Sequence, residues 1–176
     1  YGVTIKNLDF NDAQGDKAIF GMLESLGAEL EYNSDKSVTV RKSRIGSGTL
    51  DLGQTPDALP LLAAVAAASE PGPVIRLVNA AQARNKETDR IACMTGELRK
   101  MGAKIDEYHD SMTIYGTKLH GAVVDSYKDH RLAMALAVAA LAADSEVRIL
   151  DAESCAVTYP DFIRDFRKLG ADFREL

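Results

Sequence analysis

The stretch TDRIACMTGELRKMGAKIDEY, residues 88–108, decides the fold. Its apolar residues Ile91, Met94, Leu98 and Met101 recur at three- and four-residue spacing, which puts them on one face of a helix. Gly102 follows, the residue type that most readily takes the left-handed conformation that ends a helix. Alternating residues come next, as a half-buried strand requires. The pattern stands twice more. GDKAIFGMLESLGAELEY, residues 15–32, carries Ile19, Leu23 and Leu26 ahead of Gly27. YPDFIRDFRKLGADFREL, residues 159–176, carries Phe162, Phe166 and Leu169 ahead of Gly170. Three copies with matching flanks read as an internal repeat, not as a chance recurrence of a common helix ending.

Two further helices, roughly Asp57–Ser69 and Asp129–Ala143, are apolar nearly all round and belong inside a domain. Strands are predicted at Val3–Leu8, Val38–Lys42, Val74–Val78, Thr113–Tyr115, Ala122–Ser126 and Val147–Leu150. The middle copy, about 49–118, therefore reads strand, buried helix, strand, amphipathic helix, strand, strand. The third copy, 121–176, follows the same order and stops early. The first, about 1–45, begins at its second strand. The fold class is α/β (α+β): three βαβαββ-type units with buried helices and outer mixed sheets, in one domain over 1–176. Opening on Tyr1 and not on Met, and lacking a first strand and helix, the chain reads as a piece of a longer one.

The composition excludes several classes. Of 176 residues 46% are hydrophobic, enough for one domain with a sizeable core. No run approaches the roughly 18 apolar residues of a membrane span, and no signal peptide opens the chain. The net charge of -5, the absence of Trp and the lack of a Lys/Arg tract disfavour nucleic-acid binding. Cys93 and Cys155 stand far apart and in no metal-ligand spacing. One disulfide is possible; two structural thiols in a reduced, cytoplasmic compartment is the expectation. His109, His120 and the methionines Met94, Met101 and Met134 read as solvated and core residues respectively.

Chemistry is expected at three helix starts. RNKETDR places Arg84, Lys86 and Arg90 around the start of the middle amphipathic helix, and KDHR places His130 and Arg131 at the start of the second buried helix. Cations there oppose the helix dipole unless an anion neutralises both. Either the two starts hold an anionic substrate, or they are local ion pairs, Glu87 with Arg90 and Asp129 with a neighbour. The third start is TPDALP. Pro60 fits only in a first turn, which makes Asp57 an N-cap; a capping carboxylate held so rigidly can also bind a substrate hydroxyl.

TPDALPLLAAVAA, RNKETDRIACMTGELRKMGA, DSYKDHRLAMALAVAAL and CAVTYPDFIRDFRKLGA, with QGD at 14–16, occur in the order found in the 5-enolpyruvylshikimate-3-phosphate (EPSP) synthases. The chain resembles the C-terminal domain of that family over essentially its whole length. The resemblance implies a two-domain transferase with the site in the cleft between the domains. It moves the enolpyruvyl group of phosphoenolpyruvate to the 5-hydroxyl of shikimate 3-phosphate, a step of the shikimate pathway to the aromatic amino acids, with no metal or organic cofactor.

Position by position, the resemblance makes Asp57 the carboxylate at the reacting hydroxyl, a candidate base. Glu87 becomes a candidate proton donor and acceptor at the reacting carbon. Arg90 and Arg131 are implied to clamp phosphoenolpyruvate, with His130 beside them. Lys86 and Gln82 fall on the shikimate phosphate side. Val157 departs from the pattern: some members carry a lysine there that reaches phosphoenolpyruvate, so the group that protonates the methylene stays open. The other domain's lysine, Gly-rich segment and Ser/Arg groups are not found in this sequence. The expected partners are therefore the two substrates and the missing N-terminal domain, without which the chain is expected to be inactive. Two rivals are a UDP-N-acetylglucosamine enolpyruvyl transferase of the same architecture, and a non-catalytic anion-binding or interaction module that has kept the fold. The KETDR and DHR blocks count against the first, and the retained Asp57, Glu87, Arg90 and Arg131 against the second.

Overall fold

The computed structural model describes residues 2–175. The first segment is β1 (Gly2–Ile5), α1 (Ala18–Ser25), β2 (Leu30–Tyr32) and β3 (Val38–Arg41). The second is β4 (Gly48–Asp51), α2 (Leu59–Ala67), β5 (Val74–Val78), α3 (Arg90–Lys100), β6 (Lys104–Glu107) and β7 (Met112–Tyr115). The third is β8 (Val123–Asp125), α4 (His130–Ala140), β9 (Arg148–Leu150) and α5 (Phe162–Lys168). The six strands predicted with residue ranges are all present, with Val74–Val78 matched at both ends and the others shifted at one or both ends.

Each segment builds one sheet, and the sheets repeat one another. In the middle, β4 pairs parallel with β5, β5 antiparallel with β7, and β7 antiparallel with β6. The first sheet keeps the last three positions of that order, β1-β3-β2, all antiparallel. The third keeps the first two, β8 parallel to β9. The parallel pairs need a crossover, and α2 and α4 supply it.

The core lies where those crossover helices meet. α2 buries Leu59, Leu62, Ala63 and Ala66, and α4 buries Leu132, Ala135, Leu136 and Ala139. Alanines at the contact let the two backbones approach closely, and the leucines fill the space left. The middle sheet closes one side through Leu50, Ile75, Leu77, Ile105, Met112 and Ile114. α3 adds Ile91, Met94, Leu98 and Met101, all fully buried, so the stripe read from the sequence is its packed face. Burying each such side chain is worth about 1.5–3 kcal/mol.

The glycines that close the three amphipathic helices all have left-handed backbones, with φ of 100° at Gly27, 91° at Gly102 and 101° at Gly170. At Gly102 a Cβ would also lie 2.8 Å from the ring of the exposed His120, which would have to turn aside.

Three expectations are corrected. No strand follows Gly170 within the described residues. A strand needs a ladder partner, and instead the chain folds back, Arg167 Nε donating to the Phe173 carbonyl at 2.6 Å. Phe173 then stacks near Phe162 and Phe166, forming a small second core with Ala133, Ala137 and Cys155. Leu169, read as part of the α5 stripe, is 61% exposed. Asp57 is not a cap: it sits inside a 3-10 turn, Pro56–Ala58, and its carboxylate faces away from the helix backbone toward cations. Pro60 does lie in the first turn of α2. Both cysteines are free thiols, Cys155 buried and Cys93 half-buried against the core, and burial pushes both pKa values up.

Candidate functional site

Three chain segments end at one place. The turn before α2 carries Asp57. An irregular stretch after the 3-10 helix Ala81–Asn85 carries Lys86 and Glu87 into the start of α3. The turn Ser126–Asp129 carries Asp129 into the start of α4.

Local chemistry sets both helix starts. Asp89 caps α3, accepting from Ala92 N at 3.0 Å, and Asp129 caps α4, accepting from Arg131 N at 2.9 Å. Arg84 ties the stretch before α3 to the β6–β7 hairpin. It pairs with Asp89 (2.7 Å) and Glu107 (2.9 Å) and donates to the carbonyls of Tyr108 and His109. Of the cations around this helix start, Arg84 is thus a structural clasp committed to its own carboxylates.

Arg90 is the centre of the cluster. Its side chain is 1% exposed, and its guanidinium is shared among three carboxylates. Nε donates to Asp129 Oδ2 at 2.9 Å, Nη1 to Asp57 Oδ1 at 2.9 Å, and Nη2 to Glu87 Oε2 at 2.6 Å. Asp129 is fully buried and receives a further bond from Thr88 Oγ1 at 3.0 Å. A buried guanidinium needs this company, because an unpaired charge out of water costs several kcal/mol.

Asp57 ties the cluster together. Lys86 Nζ lies 3.0 Å from its Oδ1, and Arg131 Nη2 lies 3.5 Å from its Oδ2. The Arg90 and Arg131 guanidinium groups therefore converge on one carboxylate. Burial pushes the Asp57 carboxyl up, but the Lys86 hydrogen bond and the charges of Arg131, Lys86 and Arg90 outweigh it and leave its pKa lowered. The same balance, burial against the Arg90 bond and charge, the Arg131 backbone N–H and Thr88, lowers Asp129.

The cluster is layered. Arg90 and Asp129 lie beneath, while Lys86, Asp57, Arg131 and Glu87 are 29%, 32%, 34% and 52% exposed above them. Two cations, Lys86 and Arg131, and two carboxylates, Asp57 and Glu87, are open to solvent above the buried Arg90–Asp129 pair. Arginine and lysine donors of this kind suit carboxylate and phosphate oxygens. Gln82 is exposed on the Ala81–Asn85 helix, and His130 is the half-buried first residue of α4. Neither side chain hydrogen-bonds to another described residue. Two open hollows, one lined by Glu24, Glu29, Glu31 and Arg41 and one by Arg76, Tyr108 and Thr113, do not border the cluster.

Sequence reasoning missed two buried acids. One of the two readings of the helix starts pairs Asp129 with a neighbour, but its partner Arg90 stands 39 residues away. Glu97, 1% exposed on α3, accepts from Tyr127 Oη at 2.7 Å, Lys100 Nζ at 2.7 Å and Asp125 N at 2.9 Å. A signal was available: position 97 lies three after Met94 and four before Met101, so a charge stands on the apolar face. Tyr127 and Lys128 both have left-handed backbones, φ 52° and 59°, in a turn closed by Asp129 N to Ser126 O at 2.9 Å. Asn and Gly usually fill such positions.

Residues 2–166 match the family model described as EPSP synthase (3-phosphoshikimate 1-carboxyvinyltransferase). The chain is 44% identical to the 3-phosphoshikimate 1-carboxyvinyltransferase of Ruminiclostridium cellulolyticum, over 96% of this chain and 39% of that protein. It is 47% identical to that of Methanocella arvoryzae, over 96% of this chain and 40% of the relative. It thus spans about 40% of the length of these curated relatives. Among solved structures, the EPSP synthase of Acinetobacter baumannii superposes with a TM-score of 0.83 at 24% identity, over 95% of this chain and 41% of that one. The enolpyruvyl transferase NikO of Streptomyces tendae gives 0.74 at 21% identity, over 98% of this chain and 39% of that one. At those identities the superpositions speak for the fold alone. The family match over nearly the whole chain, with relatives above 40% identical, places it: this chain belongs to the EPSP synthase family.

Proposed function

We propose that this domain supplies one wall of a cleft in which the enolpyruvyl group of phosphoenolpyruvate passes to the 5-hydroxyl of shikimate 3-phosphate, a second domain supplying the other wall. The observation that carries this reading is the convergence of Lys86, Arg90 and Arg131 on Asp57, with Glu87 beside them. Both substrates are polyanions, and arginine forks suit carboxylate and phosphate oxygens.

In this reading phosphoenolpyruvate displaces Asp57 and Glu87 from the Nη atoms of Arg90 and from Arg131, while Asp129 stays on Nε. Lys86 and Gln82 turn toward the shikimate phosphate, and His130 stands beside the arginine clamp. Once its cation partners are neutralised by substrate, the Asp57 carboxylate becomes more basic. It takes the proton of the 5-hydroxyl as that oxygen bonds to C2 of phosphoenolpyruvate, and the methylene carbon gains a proton, with Glu87, displaced from Arg90 and carrying a proton when both substrates are bound, the candidate donor. The adduct then loses a methyl proton, the bond from C2 to the phosphate oxygen breaks, and inorganic phosphate leaves as the double bond re-forms. Glu87, now a carboxylate, is the candidate acceptor of that proton. The domain works as part of a longer chain, since one wall cannot exclude water from the reacting atoms. A cytoplasmic location accords with the two free thiols.

The test is phosphate release. The 176-residue chain mixed with both substrates is expected to release none. A full-length chain carrying this domain is expected to release it, and Asp57→Ala or Glu87→Ala in that chain to lower the rate by about 10²–10⁴-fold. Turnover by the 176-residue chain alone, or unchanged turnover in both variants, overturns the reading. Phosphate binding without turnover in the full-length chain favours the non-catalytic anion-binding module.

A further inference from the structure

α3 carries a buried acid that the proposed chemistry does not use. Glu97 is 1% exposed on α3, two turns along from Arg90. Its Oε1 accepts from Tyr127 Oη at 2.7 Å, and its Oε2 accepts from the backbone N–H of Asp125 at 2.9 Å. Lys100 reaches both oxygens, at 2.9 and 2.7 Å, from the solvent side. One carboxylate thus grips the chain just before the Ser126–Asp129 turn and again at its first central residue.

That turn has a demanding shape. Two consecutive residues with side chains are left-handed, where glycine is the usual choice. The bond from Tyr127 N to Asp125 Oδ1 (2.7 Å) and the closing bond from Asp129 N to Ser126 O do not involve Glu97. Ser126 is tied to β9 and the residue after it, its N donating to Leu150 O and its Oγ to Asp151 O. These contacts fix where the turn begins. The Glu97 bond is the one that fixes the Tyr127 side chain, and with it the twist of the turn that ends at Asp129. Asp129 in turn holds Nε of Arg90 and caps α4.

We propose that Glu97 and Tyr127 are positioning residues: their bond locks the left-handed Ser126–Asp129 turn so that Asp129 is aimed at the Arg90 guanidinium. The inference rests on the proposed reading only in taking Arg90 as a substrate-binding group; the geometry itself is independent of what binds. Burial alone does not account for the arrangement, because an apolar residue at position 97 would fill the same face of α3 without gripping the turn. The phenol is correspondingly hard to ionise, first through its bond to Glu97, then through burial and the Glu97 charge, with a pKa pushed up to about 12.

The experiment reads Arg90 directly and needs no substrate, so its outcome is separate from that of the activity test. In the 176-residue chain the Nε–H of Arg90, held on Asp129, is expected to give a slowly exchanging NMR resonance, assigned by its loss in Arg90→Lys. Tyr127→Phe removes one hydroxyl bonded to a charged group and is expected to speed that exchange about tenfold. Glu97→Leu, which fills the same face of α3 and offers neither Tyr127 Oη nor the Asp125 N–H an acceptor, is expected to do the same. Tyr115→Phe is the control: it removes a Tyr–Asp bond on the middle sheet, 2.8 Å from Tyr115 Oη to Asp106, and should leave Arg90 unchanged. Exchange at the parent rate in Tyr127→Phe or in Glu97→Leu, or equal acceleration in Tyr115→Phe, overturns the proposal.

Discussion

Arg90 and Asp129 form a buried ion pair, Nε 2.9 Å from Oδ2, with side chains 1% and 0% exposed. It joins the start of α3 to the start of α4; Arg131 lies on α4, and Lys86 on the stretch that leads into α3. Truncating either partner strands the other's charge out of water, which typically costs about 3–5 kcal/mol. Asp129→Ala is expected in that range by urea denaturation, and should also fray the first turn of α4, whose cap it removes. A loss below about 1 kcal/mol, the scale of a surface pair, would mean that water reaches Arg90 freely.

Acid should unfold the chain through the same carboxylates. Asp57 and Asp129 both have lowered pKa values in the folded state. Fewer protons bind to the folded form than to the unfolded one, so their contribution is fully present above the unfolded value of about 3.9 and is lost as pH falls through the folded values. The unfolding midpoint is therefore expected to hold between about pH 7 and 5 and to drop below about pH 4. Asp129→Asn, which has no proton to gain there, should make that drop shallower. An equally steep drop in the variant would place the acid sensitivity in other carboxylates.

Inorganic phosphate should bind weakly beside Asp57, and Arg131 should matter to it. Arg131 is one-third exposed above the buried Arg90 and is free to turn from Asp57 to an anion. Arg131→Ala is expected to weaken phosphate binding about tenfold by NMR titration, the worth of a charge-assisted bond. Arg41 makes the comparison, since it sits on β3 of the first sheet, paired with Glu31. Arg41→Ala should change nothing. Equal weakening by the two variants would point to a diffuse charge effect and not to a site.

The α2–α4 contact should be the most protected part of the chain. Amide exchange is expected to be slowest from Leu132 to Ala139, whose inward residues are nearly all buried. Leu136→Ala, at a fully buried position, should cost about 2–5 kcal/mol by the lost transfer energy and the cavity left behind. Uniform exchange across α4 would show that the two alanine-rich helices do not lock together.

The sequence by itself determined the helices, their left-handed glycine ends and the repeat, because periodicity and backbone preference act over a few residues. That is why Ile91, Met94, Leu98 and Met101 could be read as a packed face, and Gly102 as its end. It also marked Arg84, Lys86, Arg90, His130 and Arg131 as cations at unusual places on helix starts. Tertiary structure alone decided which charges meet. Asp57 was legible as a cap on local grounds, yet its carboxylate turns to Lys86, Arg90 and Arg131, because three cations from distant segments outbid one turn of helix backbone. Arg84 and Arg90 look alike in RNKETDR, but Arg84 is spent on the β6–β7 hairpin while Arg90 is buried beneath the site. The strand expected after Gly170 depended on a neighbouring strand that local sequence cannot supply. Electrostatic pairing and sheet ladders are long-range in the chain and short-range in space, so only the folded arrangement of α2, α3 and α4 could assign them.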